Sequence, residues 1–422
     1  MHIGVYGSGY LGTVVSACLA DFGTPVTCFD ENMGRINGIA QGNIPFFEKN
    51  LQDVVRRNVR AGRLIYSTDI ASFASKAQAI FMAEDSHFYI EEAALKLARL
   101  AGKNATLVIV TPVPVGTAAR VEQKLKAAGV ALTVVSHPIF VTDGCAVEDF
   151  NWPDRIVLGT SSPQAVALIK QIYRPLAMRG VPVIVTNHET AELVREASTA
   201  FVATKISFIN ELAGLCEHVS ADAVDLALAL GLDKKIAPRC LQPGAGFGGP
   251  FAEHDMESLA QLASGKGISL KILSAAREVN HSLSDRILGK LQIMMETVMG
   301  KEVGLLGLAF KPNTNSVAAS SSILLARRLL AQGAHVRAYD PVALPDAKLE
   351  LNGSVRYCDS PYHAAEGAEA LVVGTGWPEF RALDFDKIKR LLKRPVLLDT
   401  KNLLDGQRMK AMGFHYVGVG RA

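Results

Sequence analysis

Three glycines near the amino terminus have the spacing of a phosphate-binding turn. Gly7, Gly9 and Gly12 form the run GSGYLG, which follows an apolar stretch at 2–6 and precedes a helical pattern. In such a turn the first glycine permits the tight bend, the second lets the backbone approach a pyrophosphate, and the third lets the helix pack on the strand. The N–H groups and the dipole of the following helix favour negative charge. This context predicts a dinucleotide site, against the alternative of a glycine turn used only for packing.

An acidic residue follows at the distance that the same site requires. Asp30 ends a second apolar run, 25–29, about 20 residues after the glycines. Its carboxylate could accept hydrogen bonds from a ribose diol and would repel a 2′-phosphate, so the predicted cofactor is NAD rather than NADP. The candidate coenzyme contacts are Gly7, Gly9, Tyr10, Leu11, Gly12, Asp30, Arg35, Ser86 and Pro114.

Two further groups of residues could carry chemistry. His254 and Asp255 are adjacent and could act as a base and the carboxylate that orients it, although a histidine that only lines a ligand site is the alternative. The six cysteines are scattered without metal-ligand spacing, which indicates free thiols in a cytoplasmic protein and no metal site.

The elements that must position these residues are α/β units on both sides of a long helix. Apolar runs of strand length recur at 79–83, 106–110, 132–136, 155–159 and 181–186, and again at 301–306, 370–373 and 396–399. The stretch 333–340 has the pattern of a helix stop, a strand and an acid at its end. Because ligands bind beyond the carboxyl ends of parallel strands, residues just after Ala83, Val110 and Ser136 are candidates for ligand contact. The stretch 190–217 lacks proline and is apolar around most of its circumference, which predicts a helix buried between two α/β halves.

Composition excludes several classes of protein. At 422 residues the chain is long enough for two or three domains. A hydrophobic fraction of 49% with 20% charged residues is typical of a globular protein and not of a disordered one. The net charge of +3 forms no basic stripe, so no nucleic-acid partner is expected. No apolar run near membrane-spanning length and no secretory signal are evident, so no membrane partner is expected.

Several stretches, in order and spacing, resemble the UDP-glucose/GDP-mannose dehydrogenase family along essentially the whole chain. They are GSGYLGT at 7–13, GNIPFFEKNL at 42–51, PVPVGTA at 112–118, GCAVEDFNWPDRIVLG at 144–159, FVATKISFINELAGLCE at 201–217, PGAGFGGPFAEHD at 243–255, GLAFKPNT at 307–314, YDP at 339–341 and DTKN at 399–402.

The resemblance implies an α/β fold of two Rossmann-like, doubly wound domains joined by a long central helix and a helical segment. The expected domains are an NAD domain at 1–189, a helical dimerisation segment at 190–290 and a nucleotide-sugar domain at 291–422. Members of the family oxidise a sugar's primary alcohol to a carboxylate in two hydride transfers, through a cysteine-bound intermediate. The implied partners are a nucleoside-diphosphate sugar (UDP-glucose or a relative) and a second copy of the chain. The implied substrate contacts are Arg195, Phe247, Gly248, Gly249, Phe310 and Lys311.

At the positions that correspond to the family's catalytic residues, however, the chain departs from the family pattern. The position of the nucleophilic cysteine is Phe251, and the lysine and asparagine of the central helix correspond to Arg195 and Thr199. An acid corresponds to Ile139, a threonine to Pro112, an arginine to Lys401 and an Arg-Glu pair to Ala318-Ala319. The loop after the third run of strand length is shortened to Ala83-Glu84-Asp85-Ser86-His87. A phenyl ring cannot attack an aldehyde, so the covalent second oxidation is expected to be lost unless another thiol such as Cys240 replaces it.

Three hypotheses follow. The first is a pseudoenzyme that keeps NAD and a nucleotide sugar but has lost the acid-forming reaction. The second is an active NAD-dependent nucleotide-sugar dehydrogenase with altered chemistry or displaced catalytic residues. The third is a structural partner that has abandoned ligands, against which the glycine turn and Asp30 argue.

Overall fold

The computed structural model describes residues 1–102 and 104–421. By its internal contacts the chain forms two compact units, Met1–Glu196 and the part from Ala197 onward. Each unit is built on its own largely parallel sheet, and the chain passes from one to the other inside a single long helix.

The first sheet has eight strands in the order β3-β2-β1-β4-β5-β6-β7-β8. Neighbouring strands are parallel except for β6 and β7, which are antiparallel. The strand order reverses between β1 and β4, so the carboxyl ends of these two strands border the crevice in which an open α/β sheet binds its ligand. The strands are β1 Ile3–Tyr6, β2 Val26–Phe29, β3 Leu64–Ser67, β4 Ala79–Met82, β5 Thr106–Ile109, β6 Thr133–Ser136, β7 Ile156–Gly159 and β8 Val183–Thr186.

Within the described part of this unit, nine helices accompany the sheet. The first of them is buried along most of its length, since it consists of small and apolar residues and packs directly on the strands. The helices are α1 Tyr10–Asp21, α2 Met33–Ala40, α3 Leu51–Arg60, α4 Ile70–Lys76, α5 Ile90–Ala98, α6 Thr117–Ala127, α7 Ala146–Asn151, α8 Pro163–Ile172 and α9 Arg174–Ala177, with a 3-10 turn at His87–Tyr89.

The long helix predicted at 190–217 is α10, His188–His218, whose 31 residues span roughly 46 Å. It is followed by α11 Ala223–Leu232, α12 Ala252–Ser264 and α13 Lys271–Met295. Between α11 and α12 the chain forms the glycine-containing loop 243–250 without regular structure.

The second sheet has six parallel strands in the order β11-β10-β9-β12-β13-β14. Its reversal of strand order lies between β9 and β12, which reproduces the arrangement of the first sheet. The strands are β9 Glu302–Leu306, β10 His335–Tyr339, β11 Arg356–Tyr357, β12 Ala370–Val373, β13 Val396–Asp399 and β14 His415–Gly418. The helices are α14 Ser321–Ala331, α15 Leu344–Leu351, α16 Pro361–Ala365, α17 Phe385–Leu391 and α18 Gly406–Ala411, with a 3-10 turn at Pro378–Ala382.

The predicted fold class is therefore confirmed: two doubly wound α/β units joined by a long central helix. Within the described ranges, no helix combines the length and apolar character needed to cross a bilayer.

Candidate coenzyme and substrate sites

The glycine turn between β1 and α1 has the geometry that its sequence predicts. Gly7 has φ +101°, which only glycine adopts without strain, and a Cβ on it would collide with the Ala83 carbonyl. A Cβ on Gly12 would collide with the Gly7 carbonyl, so the third glycine allows the close packing of helix on strand. Gly9 is the N-cap of α1 and has no side chain to cap the first turn. This turn therefore fits a pyrophosphate at the N-terminus of α1.

Asp30 is fixed directly beyond the end of β2. One carboxylate oxygen accepts from the Ser8 N–H and Oγ at 2.9 and 2.7 Å, and the other accepts from the Asn32 N–H at 2.8 Å. Burial alone would raise the pKa of Asp30, but these hydrogen bonds and the Arg35 charge outweigh it and lower that pKa. The carboxylate therefore stays ionised and can accept from a ribose hydroxyl.

Gly7, Asp30 and Arg35 meet at a cavity of about 430 Å³, a volume within the usual range for ligand sites. Of the other lining residues, Glu84 belongs to the loop after Ala83 that the sequence predicts to contact a ligand, and the rest have no such signal in the sequence. Those residues come from the ends of β1 and β2, from the segments after β2 and β4, from the 3-10 turn and from α5; they are Tyr6, Phe29, Glu31, Glu84, Tyr89, Glu92, Ala93 and Lys96.

The remaining candidate coenzyme contacts lie outside the residues that line this cavity. The Tyr10 hydroxyl donates to Glu48 at 2.5 Å, and Leu11 packs against the apolar core. Ser86 caps the 3-10 turn by accepting from the Phe88 N–H, and the Pro114 carbonyl accepts from Thr117. Each of these four residues has a local structural partner, and their coenzyme role stays a prediction.

Glu48 joins three distant segments of the amino-terminal unit. Besides the Tyr10 hydroxyl, its carboxylate accepts from the backbone N–H groups of Gly144 and Ala146 at 2.6 and 3.0 Å. It thereby connects the segment between α2 and α3 to α1 and to the start of α7. Glu48 belongs to the stretch GNIPFFEKNL, which contributed to the family resemblance but was not predicted to form this network.

In the carboxyl-terminal unit the glycine loop pairs with the turn after β9. The Gly249 N–H donates to the Ala318 carbonyl at 3.0 Å, and Gly248 and Gly249 approach Ala319 and the Phe310 ring so closely that a Cβ on either would collide with them. Glycine is therefore required at both positions. The structure thus brings together Phe310 and the loop residues that the resemblance implied, whereas the Lys311 ammonium lies 6.0 Å from the centre of the Phe310 ring.

This loop borders a second cavity, of about 280 Å³. The side chain of Asn280 on α13 fixes the loop, because its Oδ1 accepts from the Phe247 N–H at 2.9 Å and its Nδ2 donates to the Phe247 carbonyl at 3.2 Å. Two ion pairs flank the cavity, Glu253 with Arg277 and Arg327 with Glu350. The lining residues are Ala245, Phe247, Gly248, Gly249, Glu253, Asn280, His281, Ser284, Val317, Ala318, Ala319, Ser320, Ser321, Ile323, Leu324, Arg327 and Glu350.

Phe251 is the N-cap residue of α12, one residue beyond the loop, and 37% of it is exposed. His254 and Asp255 lie in the first turn of the same helix. The His254 Nδ1 is 3.7 Å from the Asp255 Oδ1, an ion-pair distance that exceeds a hydrogen bond. Asp255 is buried, with 1% exposed, whereas His254 is exposed.

Four further positions at which the resemblance implies a replacement lie on α10 and in the amino-terminal unit. Arg195 and Thr199 are four residues apart and therefore share one face of α10, where both are partly buried. Ile139 packs against the apolar core, and Pro112 follows the end of β5. None of these four side chains is a carboxylate, an amide or an ammonium group.

The fold and the glycine turn define a dinucleotide-binding protein with two Rossmann-like units, and comparisons with known proteins agree. Three models of the UDP-glucose/GDP-mannose dehydrogenase family match the chain: the NAD binding domain at 1–177, the central domain at 189–282 and the UDP binding domain at 304–406. UDP-glucose 6-dehydrogenase TuaD of Bacillus subtilis is 37% identical over 99% of this chain and 93% of its own length. A UDP-glucose 6-dehydrogenase of Rhizobium meliloti is 36% identical over 100% of both chains.

Among solved structures, the chain is similar to a UDP-glucose dehydrogenase from the archaeon Pyrobaculum islandicum. The TM-score is 0.90 at 30% identity, over 100% of this chain and 98% of that one. The chain belongs to the UDP-glucose/GDP-mannose dehydrogenase family, and its cofactor is NAD.

Proposed function

We propose that this protein binds NAD and a nucleoside-diphosphate sugar of the UDP-glucose type but no longer oxidises the sugar to a carboxylate. NAD, when bound, accepts hydride from a carbinol carbon. The glycine turn and the Asp30 carboxylate are the groups of this chain that would hold its pyrophosphate and its ribose. The loop 243–250 and the turn after β9 would hold the nucleotide sugar.

The absence of a nucleophile carries the proposal. The second oxidation requires a group that adds covalently to an aldehyde, and the phenyl ring of Phe251 has no such atom. Among the described residues that border the 280 Å³ cavity there is no cysteine. Of the three cysteines in this unit, Cys216 and Cys358 are buried in apolar clusters and Cys240 is exposed, outside that lining.

The replaced donors support the same conclusion. A developing oxyanion is stabilised by positioned hydrogen-bond donors, and removal of one costs about 3 kcal/mol of transition-state stabilisation. Arg195 keeps a positive charge, but its planar guanidinium cannot place that charge where a lysine ammonium would. Thr199 offers one hydroxyl in place of an amide.

An active dehydrogenase with altered chemistry is the second candidate. The relatives at 36–37% identity named above are UDP-glucose 6-dehydrogenases, and a single reversible alcohol oxidation requires no thiol. His254, exposed beside the buried Asp255, is the candidate base for such a step.

Calorimetry tests the NAD binding that both candidates require, and a turnover assay separates them. Calorimetry with NAD is expected to give saturable heat, whereas its absence would contradict the proposal. Absorbance at the NADH band is then followed with a panel of UDP- and GDP-sugars, and no sustained increase is expected. Sustained turnover that is abolished in His254→Ala would favour the second candidate.

We also propose a homodimer formed through α10, in the cytoplasm, with domain limits near residues 190 and 290. Phe201, Phe208 and Leu215 recur at seven-residue intervals and therefore share one face of the helix. Their exposed fractions in the single chain are 71%, 50% and 58%. An exposed apolar row of this size supports contact with a second copy.

A further inference from the structure

The segment after β4 brings an acidic side chain onto the glycine turn. A Cβ built on Gly9 would coincide with the Asp85 carboxylate, so this carboxylate fills the space directly above the second glycine. That space is the one which the lack of a side chain at the second glycine keeps open for a pyrophosphate. Asp85 therefore lies where the coenzyme's phosphates are expected.

Arg35 holds the carboxylate in this position. Its guanidinium is 3.0 Å from Asp85 Oδ2 and 3.4 Å from Asp30 Oδ2, so it bridges the segment after β4 to the acid at the end of β2. About half of the Asp85 side chain is exposed, at 55%. An ion pair with this exposure is weak, so the segment can leave the turn at small cost.

The rim of the cavity is already negative before any ligand arrives. Glu84 lines it next to Asp30, and burial together with the Asp30 and Asp85 charges raises the pKa of the Glu84 carboxyl. A phosphate that entered while Asp85 stayed in place would meet both a steric overlap and like charge.

We propose that Asp85 is an internal competitor of the coenzyme, occupying the pyrophosphate position so that NAD binds only after the segment 84–86 moves away. The apparent affinity for NAD is then the intrinsic affinity multiplied by the fraction of molecules in which Asp85 has left the turn. Arg35, released from Asp85, becomes available to the incoming phosphates. Asp85 thus sets coenzyme affinity without contacting the reacting atoms.

The test is calorimetric and requires no catalysis. NAD, ADP and adenosine are titrated into the full-length wild-type protein and into Asp85→Asn, Asp85→Ser and Asp85→Glu. Loss of the charge is expected to tighten NAD and ADP binding about tenfold, while Asp85→Glu stays near wild type. Adenosine has no phosphate, so its affinity is expected to be unchanged in every variant. Asp53→Asn removes an exposed carboxylate on α3 and controls for net charge.

Equal NAD affinity in wild type and Asp85→Asn would overturn the proposal, as would equal tightening of ADP and adenosine. It rests on NAD binding itself. If neither the wild type nor any variant binds NAD, both the proposed function and the role of Asp85 are overturned. If all of them bind NAD with equal affinity, only the role of Asp85 is overturned.

Discussion

At the scale of single residues, His137 shows how burial fixes a protonation state. Its Nδ1 contacts the Val157 carbonyl at 2.9 Å and its Nε2 contacts the Tyr173 hydroxyl at 3.0 Å, and the side chain is buried. Burial lowers the pKa of His137 to about 4, against a small opposing effect of the Val157 hydrogen bond. The imidazole is therefore neutral in the folded protein at neutral pH.

This shift predicts a dependence of stability on pH. Between the unfolded pKa of 6.5 and the folded value of about 4, the unfolded chain binds a proton that the native state does not, so stability is lost as the pH falls through this window. At about pH 5 the effect is about 2 kcal/mol. His137→Phe lacks this contribution.

Urea unfolding of wild type and His137→Phe at neutral pH and at about pH 5 checks the prediction. The variant is expected to be less stable at neutral pH, because the Tyr173 hydroxyl loses a partner. The difference is expected to shrink by about 2 kcal/mol at the lower pH. A difference that is the same at both pH values would show that His137 is protonated alike in folded and unfolded chains.

At the scale of elements, the amide of Asn280 links α13 to the glycine loop through two hydrogen bonds to one residue, Phe247. Asn280→Ala removes both hydrogen bonds and is expected to destabilise the bound conformation of the loop by about 1–2 kcal/mol. Because the loop borders the cavity of this unit, UDP binding is expected to weaken about tenfold, measured by calorimetry.

Gln292→Ala is the matched control for this variant. It removes an amide from the same helix, where the Gln292 side chain donates to Gln332 and not to the loop. UDP binding is expected to be unchanged there. If both variants weaken UDP binding equally, the effect comes from a change in α13 as a whole and not from the loss of the hydrogen bonds to Phe247.

The sequence predicted the elements wherever the apolar pattern is strong. The buried strands of both sheets, the edge strand β8 and the long helix were found, with ends displaced by at most two residues. The strands that were missed, Leu64–Ser67, Arg356–Tyr357 and His415–Gly418, lie at the edges of the sheets. Edge strands have fewer neighbours, and here they are short and partly exposed, so their sequences lack a continuous apolar run.

The candidate site was predictable where local spacing determines geometry, and not where distant segments meet. The positive φ of Gly7 and the position of Asp30 follow from a motif within 30 residues. The placement of Asp85 above Gly9 depends on β1 and β4 being adjacent in the sheet, which no local pattern specifies. The same holds for Glu48, whose partners Gly144 and Ala146 are about a hundred residues away.

At the scale of the whole molecule, the proposed homodimer predicts that a charge on the exposed row of α10 separates the copies. Phe208→Glu would place a carboxylate in an apolar interface, where an unpaired charge is strongly disfavoured. Light scattering after size exclusion is expected to give twice the chain mass for wild type and for Phe208→Leu, and the single mass for Phe208→Glu. A wild-type monomer at micromolar concentration would refute the dimer.

The two units together pose the central question, whether a retained coenzyme site still serves sugar oxidation. Excess protein is incubated with limiting UDP-glucose and NAD, and the sugar nucleotide is analysed by mass spectrometry, with the Bacillus subtilis relative as the positive control. We expect the UDP-glucose to be recovered with no carboxylate product, alongside saturable NAD binding in the same preparation. A UDP-linked sugar acid, formed with two molecules of NADH for each sugar, would contradict the account.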